Sequence, residues 1–272
     1  MTIEVFAPAK VNLTLHVTGQ RDDGYHLLDS LVVFADIGDR LWVSEAAETS
    51  LQVTGRYAKG VPTDPSNLVW KAADLCGMTV DITLEKNLPN AAGIGGGSAD
   101  AAAMIRAAKR LGCNPTGDIA SLGADVPVCM ANTPQRMQGI GDVLNPVGQL
   151  PDLWIVLVNP RVDVPTPAVF SKLQSKTNMP MSDHLPDWEG FAEFCEWLAD
   201  QRNDLETPAI AIQPVIEEVL DTLADAGFKR MSGSGATCFG LYPSAHAASL
   251  AAERIQNEHP EWWVAGGRVL AG

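Results

Sequence analysis

From Gly93 to Gly97 the chain reads G-I-G-G-G, and Ser98 opens the alanine-rich run that follows. A backbone this bare lets N–H groups close on an anion, and a helix starting at its end adds unpaired donors and the positive end of a dipole. The chemistry on offer is phosphate binding. A tight strand-to-helix turn, in which glycine only avoids clashes, accounts for the same residues equally well. Ser98 is placed to cap the helix, to bind a phosphate oxygen or to ligate magnesium. A Walker A loop is excluded, because GxxxxGK[ST] is required and the dipeptide Gly-Lys occurs nowhere. The dinucleotide fingerprint GxGxxG fails at Ser98, and the VAIK and HRD partners of a protein-kinase loop are absent.

The remaining chemistry-bearing types set further limits. Five cysteines and five histidines are scattered, with neither disulfide nor zinc spacing, so reduced buried thiols and no catalytic transition metal are expected. A net charge of −14 argues against nucleic acid and membrane surfaces as partners, since both select a basic footprint. No apolar run approaches the roughly 20 residues of a membrane span, and the first ten residues lack a signal-peptide pattern. A cytoplasmic protein is expected, a monomer or weak homodimer acting on a small molecule.

The elements that position the loop follow from periodicity. In KVNLTLHV, Val11, Leu13, Leu15 and Val17 alternate with polar residues, which predicts a half-buried strand with Lys10 and Asn12 on its polar face. LLDSLVVF and DRLWVS read as two further strands, SNLVWKAADLCG as a short amphipathic helix, and TVDITLEK as the strand that feeds the glycine loop. After Gly97 the apolar positions take the helical period, and Gly112 with Pro115 stops it. Beyond the Gly- and Pro-rich stretch that ends near Leu150, LWIVLVNP starts a second half, with helices around FAEFCEWLA and AIQPVIEEVLDTLADAG, a hairpin FKRMSGSGATCFGLYP, a helix HAASLAAERIQNE and a last strand WWVAGGRVL. Two domains are expected, 1–150 and 151–272.

Three stretches in order, PAKVNLTLHV at 8–17, GIGGGSADAAA at 93–103 and SGSGATCFGLY at 232–242, resemble the motifs of the galactokinase, homoserine kinase, mevalonate kinase and phosphomevalonate kinase superfamily. GYHLLDS at 24–30, GADVPVCM at 123–130 and RNDLE at 202–206 narrow the resemblance to its branch that uses ATP and Mg²⁺ to phosphorylate the 2-hydroxyl of 4-diphosphocytidyl-2-C-methyl-D-erythritol, in the non-mevalonate isoprenoid route. It runs from about Phe6 to about Tyr242. The resemblance implies an α+β fold: a nucleotide-binding and catalytic N-terminal domain like the second domain of ribosomal protein S5, a ferredoxin-like substrate-binding C-terminal domain, and an active site in the cleft between them.

It also implies roles. Asp125 is expected as general base or orienter of the hydroxyl, with Lys10 as its electrostatic partner. Ala92, Gly93, Ile94, Gly95, Gly96, Gly97, Ser98 and Ala99 form the ATP loop, with Asn67 and Lys86 flanking the adenine region. Asn12, Tyr25, His26, Phe170 and Gly235 are expected at the acceptor, Tyr25 and Phe170 as stacking rings and His26 as a hydrogen-bond partner of cytosine. Each has a plain alternative: a cross-strand bond for Asn12, a helix cap for Asn67 or Asp125, a surface charge for Lys10 or Lys86, a core ring for Phe170, a plain turn for Gly235. Ala92 and Ala99 stand where many relatives carry glycine and serine. A superfamily kinase for homoserine or a mevalonate derivative would have no purpose for GYH, and a non-catalytic nucleotide-binding module would have none for both Lys10 and Asp125.

Overall fold

A computed structural model describes residues 1–90 and 92–271. In chain order its elements are β1 (Ile3–Asn12), β2 (His16–Gln20), β3 (His26–Glu45), β4 (Ser50–Thr54), α1 (Leu68–Leu75), β5 (Val80–Glu85), α2 (Gly96–Arg110), a 3-10 turn at Ile119–Leu122, and α3 (Val126–Ala131). There follow β6 (Gln135–Gly139), β7 (Val143–Pro146), β8 (Trp154–Asn159), α4 (Thr166–Ser171), α5 (Phe191–Ala199), α6 (Glu206–Ile210), α7 (Val215–Thr222), β9 (Phe228–Met231), β10 (Cys238–Tyr242), α8 (Ala245–Glu258) and β11 (Trp263–Arg268). The chain forms two compact units, neither contiguous in sequence. One comprises Met1–Lys10, Gly38–Asn90 and Gly95–Ala131, the other Val11–Ile37, Ala91–Ile94 and Asn132–Gly272.

In the first unit β5 pairs antiparallel with the end of β3, from Arg40 opposite Glu85 to Glu45 opposite Val80, and β4 lies parallel to β5. Val80, Ile82 and Leu84 are the buried face of β5, as its alternation requires. Helix α2 packs on α1. Its alanines are the reason it sits close: Ala101, Ala102, Ala103, Ala107 and Ala108 are buried together with Met104 and Ile105, so small side chains face inward on more than one side.

In the second unit β8, α7, β9, β10, α8 and β11 form a βαββαβ arrangement with strand order β11-β8-β10-β9, all neighbours antiparallel. This is the ferredoxin-like pattern. Val156 and Val158 on the sheet bury against Ile216 and Val219 of α7 and Ala248, Ala251 and Ile255 of α8. No helix among the described residues is long and apolar enough to cross a membrane.

Three sequence expectations change. LLDSLVVF and DRLWVS are one continuous strand, β3, because Gly38 is not a turn: a Cβ there would run into the Ala7 carbonyl, so glycine admits the neighbouring backbone. Strand β1 is buried on both faces near its end, with Lys10 and Asn12 4% and 1% exposed, so their polar face is not a solvated one. The helix expected over AIQPVIEEVLDTLADAG shortens to α7, Val215–Thr222, with Pro214 as its N-cap, since proline has no N–H to carry the ladder on from α6.

Candidate active site

In the first unit the glycine loop delivers the start of α2. Gly95 is its N-cap, in the left-handed region at φ +65°, with no side-chain cap bond and no acidic residue in the first turn. The N-cap and first turn of α2 thus supply neither a capping side chain nor an acidic residue to its first N–H groups. Gly93 and Gly95 need their positive φ of +73° and +65°, which a tight turn explains. Gly96 and Gly97 have no such need: both are helical, and a Cβ on either would meet nothing nearer than 3.6 Å. Their bareness serves no contact within the protein and fits close approach of an anion. Ile94 and Ala99 are buried, so they face the core and offer a ligand only backbone.

Lys10 lies against this helix start. A Cβ on Gly95 would come within 3.2 Å of Lys10 Cε, so glycine here also makes room for the lysine stem. Lys10 Nζ is 2.9 Å from Asp125 Oδ2, the two side chains 5% and 34% exposed. The ammonium is therefore fixed in the protein while the carboxylate, just before α3, is open to an incoming group. Beside them, Cys129 is fully buried and its thiol is pushed up to about 12, first by desolvation and then by the Asp125 charge, which removes it as a nucleophile. Among the described residues no group of three or more His, Cys, Asp or Glu side chains could hold a metal ion.

Asn67 and Lys86 also lie in this unit, with their side chains turned to the protein. Asn67 Oδ1 accepts the Val69 N–H at 2.9 Å, capping α1, and its amide donates to the Pro62 carbonyl at 2.7 Å. Asn67→Ala should lower stability by about 1 kcal/mol, the usual worth of an N-cap, read as a drop in thermal midpoint. Lys86 is buried between Asp39 and Asp100, 2.7 Å from the latter. Asp39 Oδ1 further accepts the Asn87 and Leu88 N–H groups at 2.5 and 2.8 Å. Burial pushes the Asp100 carboxyl up to about 7 against the pull of Lys86, while the two carboxylates carry Lys86 above its ordinary value despite burial.

In the second unit the rings at the head of β3 stand with α4. His26 stacks on Phe170 with centroids 4.5 Å apart and planes at 23°, and Tyr25 next to it is 61% exposed. His26 Nε2 is buried with no hydrogen-bond partner among the described residues, and burial followed by the Lys176 charge lowers the imidazole pKa. A neutral ring with one unused nitrogen suits a heterocyclic base. Asn12 donates from Nδ2 to Ser30 Oγ at 2.8 Å and from its backbone to Ser232 Oγ at 3.1 Å. The hairpin bend that holds Gly235 grips the foot of the glycine loop: Thr237 Oγ1 donates to the Ala92 carbonyl at 2.6 Å and Ser232 Oγ to that of Gly93 at 3.2 Å.

Residues 67–144 match the family model described as the GHMP kinases N-terminal domain, and residues 181–261 match that of the GHMP kinases C-terminal. A 4-diphosphocytidyl-2-C-methyl-D-erythritol kinase of Ruegeria pomeroyi is 60% identical, covering 99% of this chain and 100% of its own. The chain belongs to the 4-diphosphocytidyl-2-C-methyl-D-erythritol kinase family. It is thus a small-molecule kinase with ATP as co-substrate. The kinase of the same name from Dinoroseobacter shibae is 58% identical over 96% of this chain and 92% of its own. A crystal structure of 4-(cytidine 5'-diphospho)-2C-methyl-D-erythritol kinase superposes with a TM-score of 0.78 at 33% identity, covering 99% of this chain and 100% of that one. Homoserine kinase from Cytophaga hutchinsonii, at 18% identity and a TM-score of 0.64 over 99% of this chain and 95% of its own, shares the fold.

The expected α+β family fold is what the chain adopts. Sequence reasoning missed Asp39 and Asp100, which hold Lys86, and Ser232 and Thr237 as holders of the loop foot. Asp100 had a signal, an acid inside the buried face of an alanine-rich helix. Asp39 had none, since its partners lie 47 and more residues away.

Proposed function

We propose that this protein transfers the γ-phosphoryl group of ATP to the 2-hydroxyl of 4-diphosphocytidyl-2-C-methyl-D-erythritol, for isoprenoid precursor formation by the non-mevalonate route. The observation that carries the chemistry is the Lys10–Asp125 pair at 2.9 Å beside the uncapped start of α2. Phosphoryl transfer asks mainly for positioning and charge stabilisation. The α2 N–H groups hold phosphate oxygens. Lys10 offsets charge at the transferring group, and Asp125 orients the acceptor hydroxyl and takes its proton. Asn67 and Lys86 act one layer back, shaping α1 and the approach to the loop.

Mg²⁺ fits the oxygen donors on this side: the Ser98 hydroxyl lies against the Gly123 turn, 3.7 Å from where a Cβ would stand, and the Asp125 carboxylate follows two residues on. When bound, the ion neutralises phosphate charge. Tyr25, His26 and Phe170 bind the cytosine base, and Asn12 and Gly235 the methylerythritol end. With a net charge of −14 the protein works on small molecules in the cytoplasm, as a monomer or weak homodimer.

The test is incubation with Mg²⁺, ATP and a panel of alcohols, with mass spectrometry for one added phosphoryl group. Only the cytidine-bearing acceptor should gain it; equal activity on homoserine or mevalonate would overturn the assignment. Stacking on an aromatic is worth roughly 1–3 kcal/mol per base, so Phe170→Ala should raise the acceptor KM about tenfold or more with ATP affinity nearly unchanged.

A further inference from the structure

The RNDLE motif at 202–206 has no part in binding or transfer as described, yet its asparagine is wholly committed. Asn203 Nδ2 donates to the carbonyls of Met231 and Gly233 at 2.8 and 2.9 Å, and Oδ1 accepts the Leu205 N–H at 3.0 Å. Its own backbone is bridged to Leu15, with the Leu15 N–H bonded to Arg202 O at 2.8 Å and the Asp204 N–H to Leu15 O at 2.9 Å. The side chain is thus a fixed post on both sides of which one hairpin bend is hung.

The two carbonyls that it holds flank Ser232. Ser232 Oγ accepts the Asn12 N–H at 3.1 Å and donates to Gly93 O at 3.2 Å. The bend meets the loop foot backbone to backbone: a Cβ on Gly93 would stand 2.6 Å from Gly235 O and 2.8 Å from Ser232 O, and one on Gly233 would stand 2.8 Å from Gly93 O. Backbone lies directly against backbone here, so a displacement of the bend must be passed on to Gly93 and Asn12.

We infer that Asn203 is a positioning residue for phosphoryl transfer, setting the hairpin bend that registers Asn12 and the foot of the glycine loop. It rests on the kinase reading above. Asn203 touches neither substrate, and its effect runs through Met231, Gly233 and Ser232. Misplacement of reacting groups by an ångström can cost about a hundredfold in rate. Because the binding groups themselves remain, the loss should fall on kcat rather than on KM.

Asn203→Ser keeps one donor and brings no charge, and Asn203→Ala removes all three bonds. Steady-state kinetics with ATP and the cytidine-bearing acceptor, alongside thermal unfolding, should give folded enzymes in which kcat falls about tenfold for serine and up to about a hundredfold for alanine, with both KM values within about threefold. Wild-type kcat in folded Asn203→Ala would overturn the inference, as would a loss confined to one KM. Failure of both variants to fold would also overturn it, since the residue would then be purely structural. A wild-type enzyme inactive on that acceptor would instead count against the kinase reading.

Discussion

Asp125→Asn should bind both substrates and turn over about 10²- to 10⁴-fold more slowly, the usual range for a general base. The side chain keeps its shape, and its amide oxygen still accepts from Lys10 Nζ, 2.9 Å away in the wild type, so the fold should survive. What is lost is the charge and the place for the hydroxyl proton. Lys10→Met should also cut turnover. It leaves the Asp125 carboxylate about one-third exposed, where water can solvate it, so its stability cost should be small. If the pair acts as a unit, the double variant should be little slower than the slower single one. Single-turnover rates on folded variants check this, and near-normal turnover in Asp125→Asn would refute the proposed site.

Gly97→Val should leave folding intact and weaken ATP binding. Gly97 is exposed, helical, and its added Cβ would touch only Leu68 Cδ1 at 3.6 Å, so the protein has room for it. A phosphate bound to the first N–H groups of α2 does not. Loss of one or two charge-assisted hydrogen bonds, each worth about 1.5–3 kcal/mol, predicts an affinity drop of about tenfold to a hundredfold or more by calorimetry. Gly95→Val is a poorer probe, because its positive φ and the nearby Lys10 stem would disturb the fold itself. Unchanged ATP affinity in folded Gly97→Val would return the loop to a plain turn.

The sequence by itself determined the local pieces and their order. The β5 alternation, the Asn67 start of α1, the glycine run ahead of α2 and the 228–242 hairpin are written in neighbours a few residues apart, where φ preferences and side-chain period act directly. The three ordered motifs placed Lys10, the loop and the third bend in one family without any coordinates. Tertiary structure alone decided what each polar side chain faces. Lys10 reads as a strand-end charge until β1 is buried on both sides and Asp125, 115 residues on in the chain, comes to 2.9 Å. Lys86 reads as a surface lysine until Asp39 and Asp100 enclose it. Asn203 is only a letter of the RNDLE stretch until Met231 and Gly233 meet its amide. Buried polar groups must find partners, and those partners come from wherever the chain passes. Sequence spacing does not encode that, which is why the hold of the Asn203 amide on the bend became visible only when the backbone was folded.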